Sequence, residues 1–299
     1  MLNSEVKNIS KFESWILASR PKTLLAAAVP VVIGTSIAVR EDQHNLLAAV
    51  VALLCSVLIQ IGTNFVNDLY DHLAGSDTEE RVGPLRALAS GLISVPEMKY
   101  GILFTFGIAF LSGLYLVYMT SWITLVIGIV SILAGYAYTA GPYPLAYNGL
   151  GDIFVFVFFG FVGTVGTYYV QAGDVSALSF WASVPVGALV TNILVVNNYR
   201  DIEQDQVAGK RTLAVKFGKG FTRIQYLLFM IVSYLVPFVV YFTYYSSIIV
   251  FLPLLSLPLA IRLIRMIYTL KGTELNKTLE LTAKLSLIYG ILFSFGVLI

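Results

Sequence analysis

The sequence predicts an all-α fold: a polytopic membrane helical bundle of about nine transmembrane helices around a central cavity open to the cytoplasmic side. Three observations predict it. Hydrophobic residues make up 58% of the 299 positions and charged residues 12%, about half the usual charged share of a globular chain, so a bilayer must solvate most of this surface. The apolar residues gather into runs of the length needed to cross a hydrocarbon core, about 17–25 residues. Basic residues are confined to alternate connections between those runs.

The first run, Thr23–Val39, contains Pro30 and is followed by Arg40-Glu41-Asp42 rather than a small-residue cleavage site, so it is read as a span and not a secretory leader. Leu46–Val66 follows and carries the lone Cys55, which rules out an intrachain disulfide. Gly101–Tyr118 and Trp122–Thr139 are separated only by residues 119–121, which makes them a tight antiparallel pair. Asp152–Val170 and Leu178–Val196 are joined by the short segment 171–177. Gln225–Tyr244, Ser246–Ile261 and Lys284–Ile299 complete the set, with Pro237, Pro253 and Pro258 expected to kink or interrupt two of them. No run alternates with the period of two that a membrane barrel strand requires.

With the N-terminus in the cytoplasm, all but Arg40 of the 19 Lys and Arg residues fall on the cytoplasmic side. This places a multi-pass protein in the cell (inner) membrane with two long hydrophilic loops, 67–100 and 198–224, at the cytoplasmic face. The chain reads as one domain, 1–299, with a pseudo-repeat in halves of about 20–140 and 150–299. The net charge of +2 carries no signal for nucleic acid, and two distant histidines, His44 and His72, do not make a zinc site.

Each long loop opens on an acidic cluster. The first runs Asn64, Asn67, Asp68, Tyr70, Asp71 and then Gly75; the second runs Asn197, Asn198, Asp201, Asp205 and then Gly209, followed by Lys210 and Arg211. On a helix Asn64, Asp68 and Asp71 share one face, as do Asn197, Asp201 and Asp205. Ionised carboxylates at a membrane cavity are costly unless a cation compensates them. Mg²⁺ prefers oxygen and is usually held by one or two carboxylates plus substrate phosphates. Two facing patches suit two Mg²⁺ ions gripping one diphosphate, with Lys210 and Arg211 as phosphate contacts. Glu79, Glu80, Arg81, His72 and Glu203 read as solvated charge.

At these residues the sequence resembles the UbiA superfamily of intramembrane prenyltransferases, and its wider text is similar to the branch that prenylates 1,4-dihydroxy-2-naphthoate in the menaquinone pathway. The matching strings are Arg20-Pro-Lys22-Thr-Leu, Gly83-Pro-Leu-Arg86, the Tyr138 to Tyr147 stretch, Gly149-Leu-Gly-Asp152, Asn197 through Gly209-Lys-Arg-Thr-Leu-Ala-Val215, and Leu275-Asn276. The chain departs from the pattern at Asp152, where Glu is more usual, and at Ala140. The resemblance implies transfer of a polyprenyl chain from polyprenyl diphosphate to 1,4-dihydroxy-2-naphthoate, with loss of pyrophosphate and carbon dioxide. It implies Asp68, Asp71, Asp201 and Asp205 as metal ligands, with Lys210 and Arg211 on the leaving group. Asn64, Asn67, Asn197, Asn198, Arg20, Lys22, Tyr70, Tyr138 and Asp152 are the further substrate-binding candidates. A different aromatic acceptor and a cation-coupled transporter are the competing readings; acidic residues confined to one end of the spans argue against a transport path.

Overall fold

The computed structural model describes residues 9–75, 83, 85–244 and 247–299. Lys7, Ser246 and the segment bearing Asp77, Glu79, Glu80, Arg81, Val82 and Pro84 lie outside the described residues.

A short helix, α1 (Lys11–Ser19), opens the described chain, started by a reciprocal capping box between Ser10 and Glu13. Arg20 then takes a left-handed conformation (φ 51°) and Pro21 begins α2 (Pro21–Arg40), so the chain turns a corner at the polar end of the first span. Next come α3 (Leu46–Leu73), capped by the Asn45 side chain, α4 (Val95–Met119), capped by a Ser94–Glu97 box, and α5 (Trp122–Ala137). A single 3-10 turn at Ala146–Asn148 leads into α6 (Gly151–Ala172), whose middle, Phe156–Val162, is wound as a π-helix. The rest is α7 (Ala177–Arg200), the short α8 (Ile202–Val207), α9 (Leu213–Tyr244), α10 (Ile248–Thr269, opening as 3-10) and α11 (Leu275–Leu298).

Over the described residues every predicted run is helical along all but its ends. Among the described residues, eight helices are long and apolar enough to cross a membrane, and the 16-residue α5 is a shorter ninth. The two long loops are where the structure differs. Helix α3 continues through the first acidic cluster to Leu73, and residues 198–224 are mostly helical rather than loop. The seventh span begins at Leu213, not Gln225, and absorbs its kink at Gly218 (φ 79°, ψ 178°), a conformation only glycine adopts freely. Polar residues hid these turns because a helix outside the bilayer needs no apolar run. The stretch after the first cluster also folds inward: Ala87, Leu88 and Ile93 are buried with Phe65, Leu69 and Met98.

Between lipid-solvated helices no hydrophobic force drives association, so close packing and hydrogen bonds must hold the bundle. Helix α2 packs on α11 and the end of α6, α3 on α4, and α7 on α9. The approach of α6 to α7 depends on Gly160 and Gly187; a Cβ on Gly187 would lie 2.7 Å from the Phe156 carbonyl oxygen. Polar ties cross the interfaces: Tyr289 donates to the Ser233 carbonyl (2.6 Å) and Asn192 to the Tyr226 carbonyl (3.0 Å). At the end away from the acidic clusters, Glu41 accepts hydroxyls from Tyr168 and Ser176.

Candidate active site at the mouth of the intramembrane cavity

Helices α2 to α7 enclose a cavity of about 680 Å³. Its deep part is apolar and runs past Cys55 and Ile59 of α3, Leu114 and Val117 of α4, Leu125 and Ile132 of α5, and Phe154 and Phe158 of α6. Its mouth carries Asn64, Asn67, Asp71, Asn197, Asn198, Asp201, Gln204, Asp205 and Lys210. The two acidic clusters therefore meet at one opening.

The face each cluster presents is set by helix phase. In α3 the residues on the wall are Asn64, Asn67 and Asp71, not the Asn64, Asp68 and Asp71 face read from the sequence. Asp68 lies one step round the helix, buried at 1% exposure and off the wall. Asn64 donates to the Ser19 carbonyl (2.8 Å) and Thr23 Oγ1 (3.1 Å), fastening the α1–α2 corner, and Asn67 accepts the Thr139 hydroxyl. Asp71 receives three donors: Arg86 Nη2 on Oδ2 (2.8 Å), and the Tyr147 hydroxyl (2.7 Å) and Lys210 Nζ (3.2 Å) on Oδ1.

In the second cluster α7 ends at Arg200 and α8 restarts at Ile202, yet Asn197, Asp201 and Asp205 still face the cavity. Arg200 forks onto Asp201 (2.7 and 2.6 Å) and also donates to Asn197 (2.9 Å). Gly209 (φ 73°) reverses the chain after α8; the Lys210 N–H caps the Asp205 carbonyl (2.8 Å) and the Gly209 N–H caps that of Gln206 (3.2 Å). That reversal returns the Lys210 ammonium over its own helix, 3.6 Å from Asp205 and 4.6 Å from the Tyr147 ring centre. Burial pushes the Asp205 carboxyl up to about 6; Lys210 opposes the rise, while the charges of Asp201 and Asp71 add to it. Glu203 points away, exposed and paired with Lys219, which lowers it.

Besides Asp68, four candidates are placed differently from the sequence expectation. Arg211 is exposed and off the wall, because neighbours in an extended segment point opposite ways; Lys210 and Thr212 take the cavity side. Asp152 is buried behind the wall and accepts from Gln225 of α9 (3.1 Å), so it serves as an interhelical tie. The Tyr70 hydroxyl bonds that of Tyr136, away from the cavity. Lys22 touches the rim, but its ammonium is turned to Glu280 (3.0 Å). Arg20 and Tyr138 do line the cavity. Sequence reasoning gave no role to Arg86, Tyr147 or Arg200, although all three sit in strings already singled out; nothing local shows that Arg86 and Tyr147 converge on Asp71.

Among the described residues no three His, Cys, Asp or Glu side chains converge as a ready-made metal site. The mouth offers carboxylate and amide oxygens around a cationic edge, which fits a hard divalent ion completed by substrate phosphates.

The UbiA prenyltransferase family model matches residues 27–288. The chain belongs to the UbiA prenyltransferase family. Among UbiA relatives, the 1,4-dihydroxy-2-naphthoate octaprenyltransferase of Haemophilus influenzae is 37% identical over 97% of both chains, and that of Escherichia coli 35% identical over 97% of both. UbiA prenyltransferase domain-containing protein 1 of Gallus gallus is 31% identical over 97% of this chain and 86% of its own. A UbiA homolog from Aeropyrum pernix, solved in its apo form, superposes with a TM-score of 0.71 at 14% identity, covering 90% of this chain and 96% of that one. A UbiA homolog from Archaeoglobus fulgidus, solved with GPP and Mg²⁺, gives 0.66 at 16% identity over 94% of this chain and 99% of that one. These likenesses show that the UbiA fold is shared. The protein is a multi-pass membrane member of that family.

Proposed function

We propose that residues 1–299 act as one unit that transfers a polyprenyl chain from polyprenyl diphosphate to 1,4-dihydroxy-2-naphthoate, giving demethylmenaquinone after oxidation. The observation that carries the reading is Lys210, held between Asp71 (3.2 Å) and Asp205 (3.6 Å) where an apolar cavity meets a polar mouth. An anionic head on a greasy tail matches that division. The naphthoate acceptor rests on relatives named for it that align over almost the whole chain.

Asp71, Asp201 and Asp205, with Asp68 beside them on α3, are the carboxylates that would hold Mg²⁺, two ions in this reading. When bound, the metal supplies charge neutralisation for the departing diphosphate. Arg86 and Lys210 set positive charge where that leaving group gathers negative charge, which favours the transition state over the ester. The allylic C–O bond breaks with its electron pair going to the diphosphate. A ring carbon of the naphthoate forms the new C–C bond, and the carboxylate departs as carbon dioxide while the ring regains aromaticity. Phe154, Phe158 and Tyr138 line the cavity, where π faces shelter an allylic cation and the apolar wall keeps water from capturing it. Arg20, at the α1–α2 corner, is the candidate for the acceptor carboxylate. The confinement of nearly all basic residues to one set of connections supports a cytoplasmic mouth and an inner-membrane location.

The deciding experiment supplies purified protein with Mg²⁺, prenyl diphosphates of several lengths, and 1,4-dihydroxy-2-naphthoate beside 4-hydroxybenzoate. The expected product mass is naphthoate plus prenyl minus carbon dioxide. A prenylated hydroxybenzoate alone would reassign the acceptor.

A further inference from the structure

Arg200 is the last residue of α7, its side chain is 0% exposed, and it is not part of the cavity wall. From behind the wall its guanidinium holds two residues that are on it: Asp201, through Nε (2.7 Å) and Nη2 (2.6 Å), and Asn197, through Nη2 (2.9 Å). Its third nitrogen, Nη1, donates to Asn276 Oδ1 (2.7 Å) in the first turn of α11. The planar, always-charged fork is thus fixed from a separate helix while it grips a carboxylate and an amide. An aspartate at a helix end has several open rotamers; a bidentate fork selects one, which a lysine ammonium cannot do.

We propose that Arg200, anchored by Asn276, is a positioning residue that orients Asp201 and Asn197 toward the cavity and so sets the divalent-cation affinity of the second acidic cluster. The inference rests on the metal-and-diphosphate reading above. Groups that hydrogen-bond metal ligands from outside typically change metal affinity 10–100-fold when altered. Arg200 touches no substrate, so its removal acts on loading more than on turnover.

The test uses the full-length protein in lipid nanodiscs. Mn²⁺ binding is followed by electron paramagnetic resonance with inorganic pyrophosphate present, and prenyl transfer is measured across a Mg²⁺ series. In Arg200→Lys, Mn²⁺ affinity is expected to weaken by about 10–100-fold while kcat at saturating Mg²⁺ stays within about threefold of wild type. Asn276→Ala, which keeps the guanidinium but loosens its anchor, is expected to shift the same curve by about threefold to tenfold, the effect of one lost hydrogen bond. An unshifted Arg200→Lys curve overturns the proposal, because charge alone would then suffice. A lower kcat with an unshifted metal curve in both variants overturns it too, because the role would be structural. If Arg200→Lys does not fold, Asn276→Ala decides on the same readings. A wild-type protein that binds no Mn²⁺ with pyrophosphate sinks the metal reading itself, and this inference with it.

Discussion

Lys210 Nζ lies 3.2 Å from Asp71 Oδ1, joining the link after α8 to the end of α3, 139 residues away in the chain. With Arg86 on Asp71 and Arg200 on Asp201, the mouth is an internally compensated cluster of buried charges. Such a cluster tolerates burial because every carboxylate on the wall has a cation in reach. Lys210 and Arg86, which line the cavity, are available to a diphosphate when the carboxylates engage a metal, while Arg200 stays behind the wall on Asp201.

Asp71→Asn is expected to lower transfer by at least about 100-fold, the scale of removing a charge-stabilising group from an enclosed site. It also leaves Arg86 and Lys210 short of a partner, and breaking a buried pair from one side costs about 3–5 kcal/mol. Product mass spectrometry and thermal unfolding in detergent check the two effects. Wild-type turnover in this variant would remove Asp71 from the site.

Tyr147→Phe keeps the ring under Lys210 and deletes only the hydroxyl on Asp71. Activity should fall by about tenfold while stability drops by about 1.5–3 kcal/mol, the range of one hydrogen bond to a charged group. Equal activity in the two proteins would show that Arg86 and Lys210 hold Asp71 without it.

Magnesium dependence should vary with pH through Asp205, whose carboxyl burial pushes up to about 6. Only the ionised form binds a cation, so the apparent Mg²⁺ affinity should weaken as pH falls below about 6 and level off above it. The stability effect has the opposite sense. The folded pKa is raised, so Asp205's contribution to metal-free stability is full below the unfolded value of about 3.9 and is lost as pH rises through about 6. Asp205→Asn should flatten that part of the stability–pH curve. A Mg²⁺ titration and a thermal melt at pH 5 and pH 7.5 test both signs.

Leu125→Trp adds bulk to the deep apolar part of the cavity. Turnover of a long prenyl diphosphate should drop at least about tenfold relative to geranyl diphosphate, because a packed cavity resists added volume. A parallel loss for both donors would mean that the prenyl chain does not pass this point.

Gly187→Ala places a Cβ within 2.7 Å of the Phe156 carbonyl oxygen, at the α6–α7 contact. The expected cost is about 1–3 kcal/mol of stability, seen as a lower melting temperature in detergent. An unchanged melt would show that the π-wound turn yields without strain.

The apolar runs became helices almost as drawn. The polar segments 67–100 and 198–224 carry the composition of loops, although α3 carries its helix through Asp71 and α9 starts twelve residues before Gln225 at Leu213. Hydropathy marks where lipid begins, and it is silent about helices in water. Within the site, Asn64, Asn67, Asp71, Asn197, Asp201, Asp205 and Lys210 were legible as clustered polar residues at span ends. The positions of Asp68, Arg211, Asp152 and Tyr70 were not.

Membrane insertion, the set of spans and the oxygen-rich chemistry of the mouth follow from local properties, run length and side-chain type, and these are written along the chain. Which neighbour faces the cavity is a matter of phase: successive residues on a helix point about 100° apart, so a small rotation set by packing exchanges Asp68 for Asn67. The meeting of Asp71 with Arg86, Tyr147 and Lys210 depends on contacts between distant segments. No period in the sequence encodes such contacts, and the close packing of α2 to α7 brings them about.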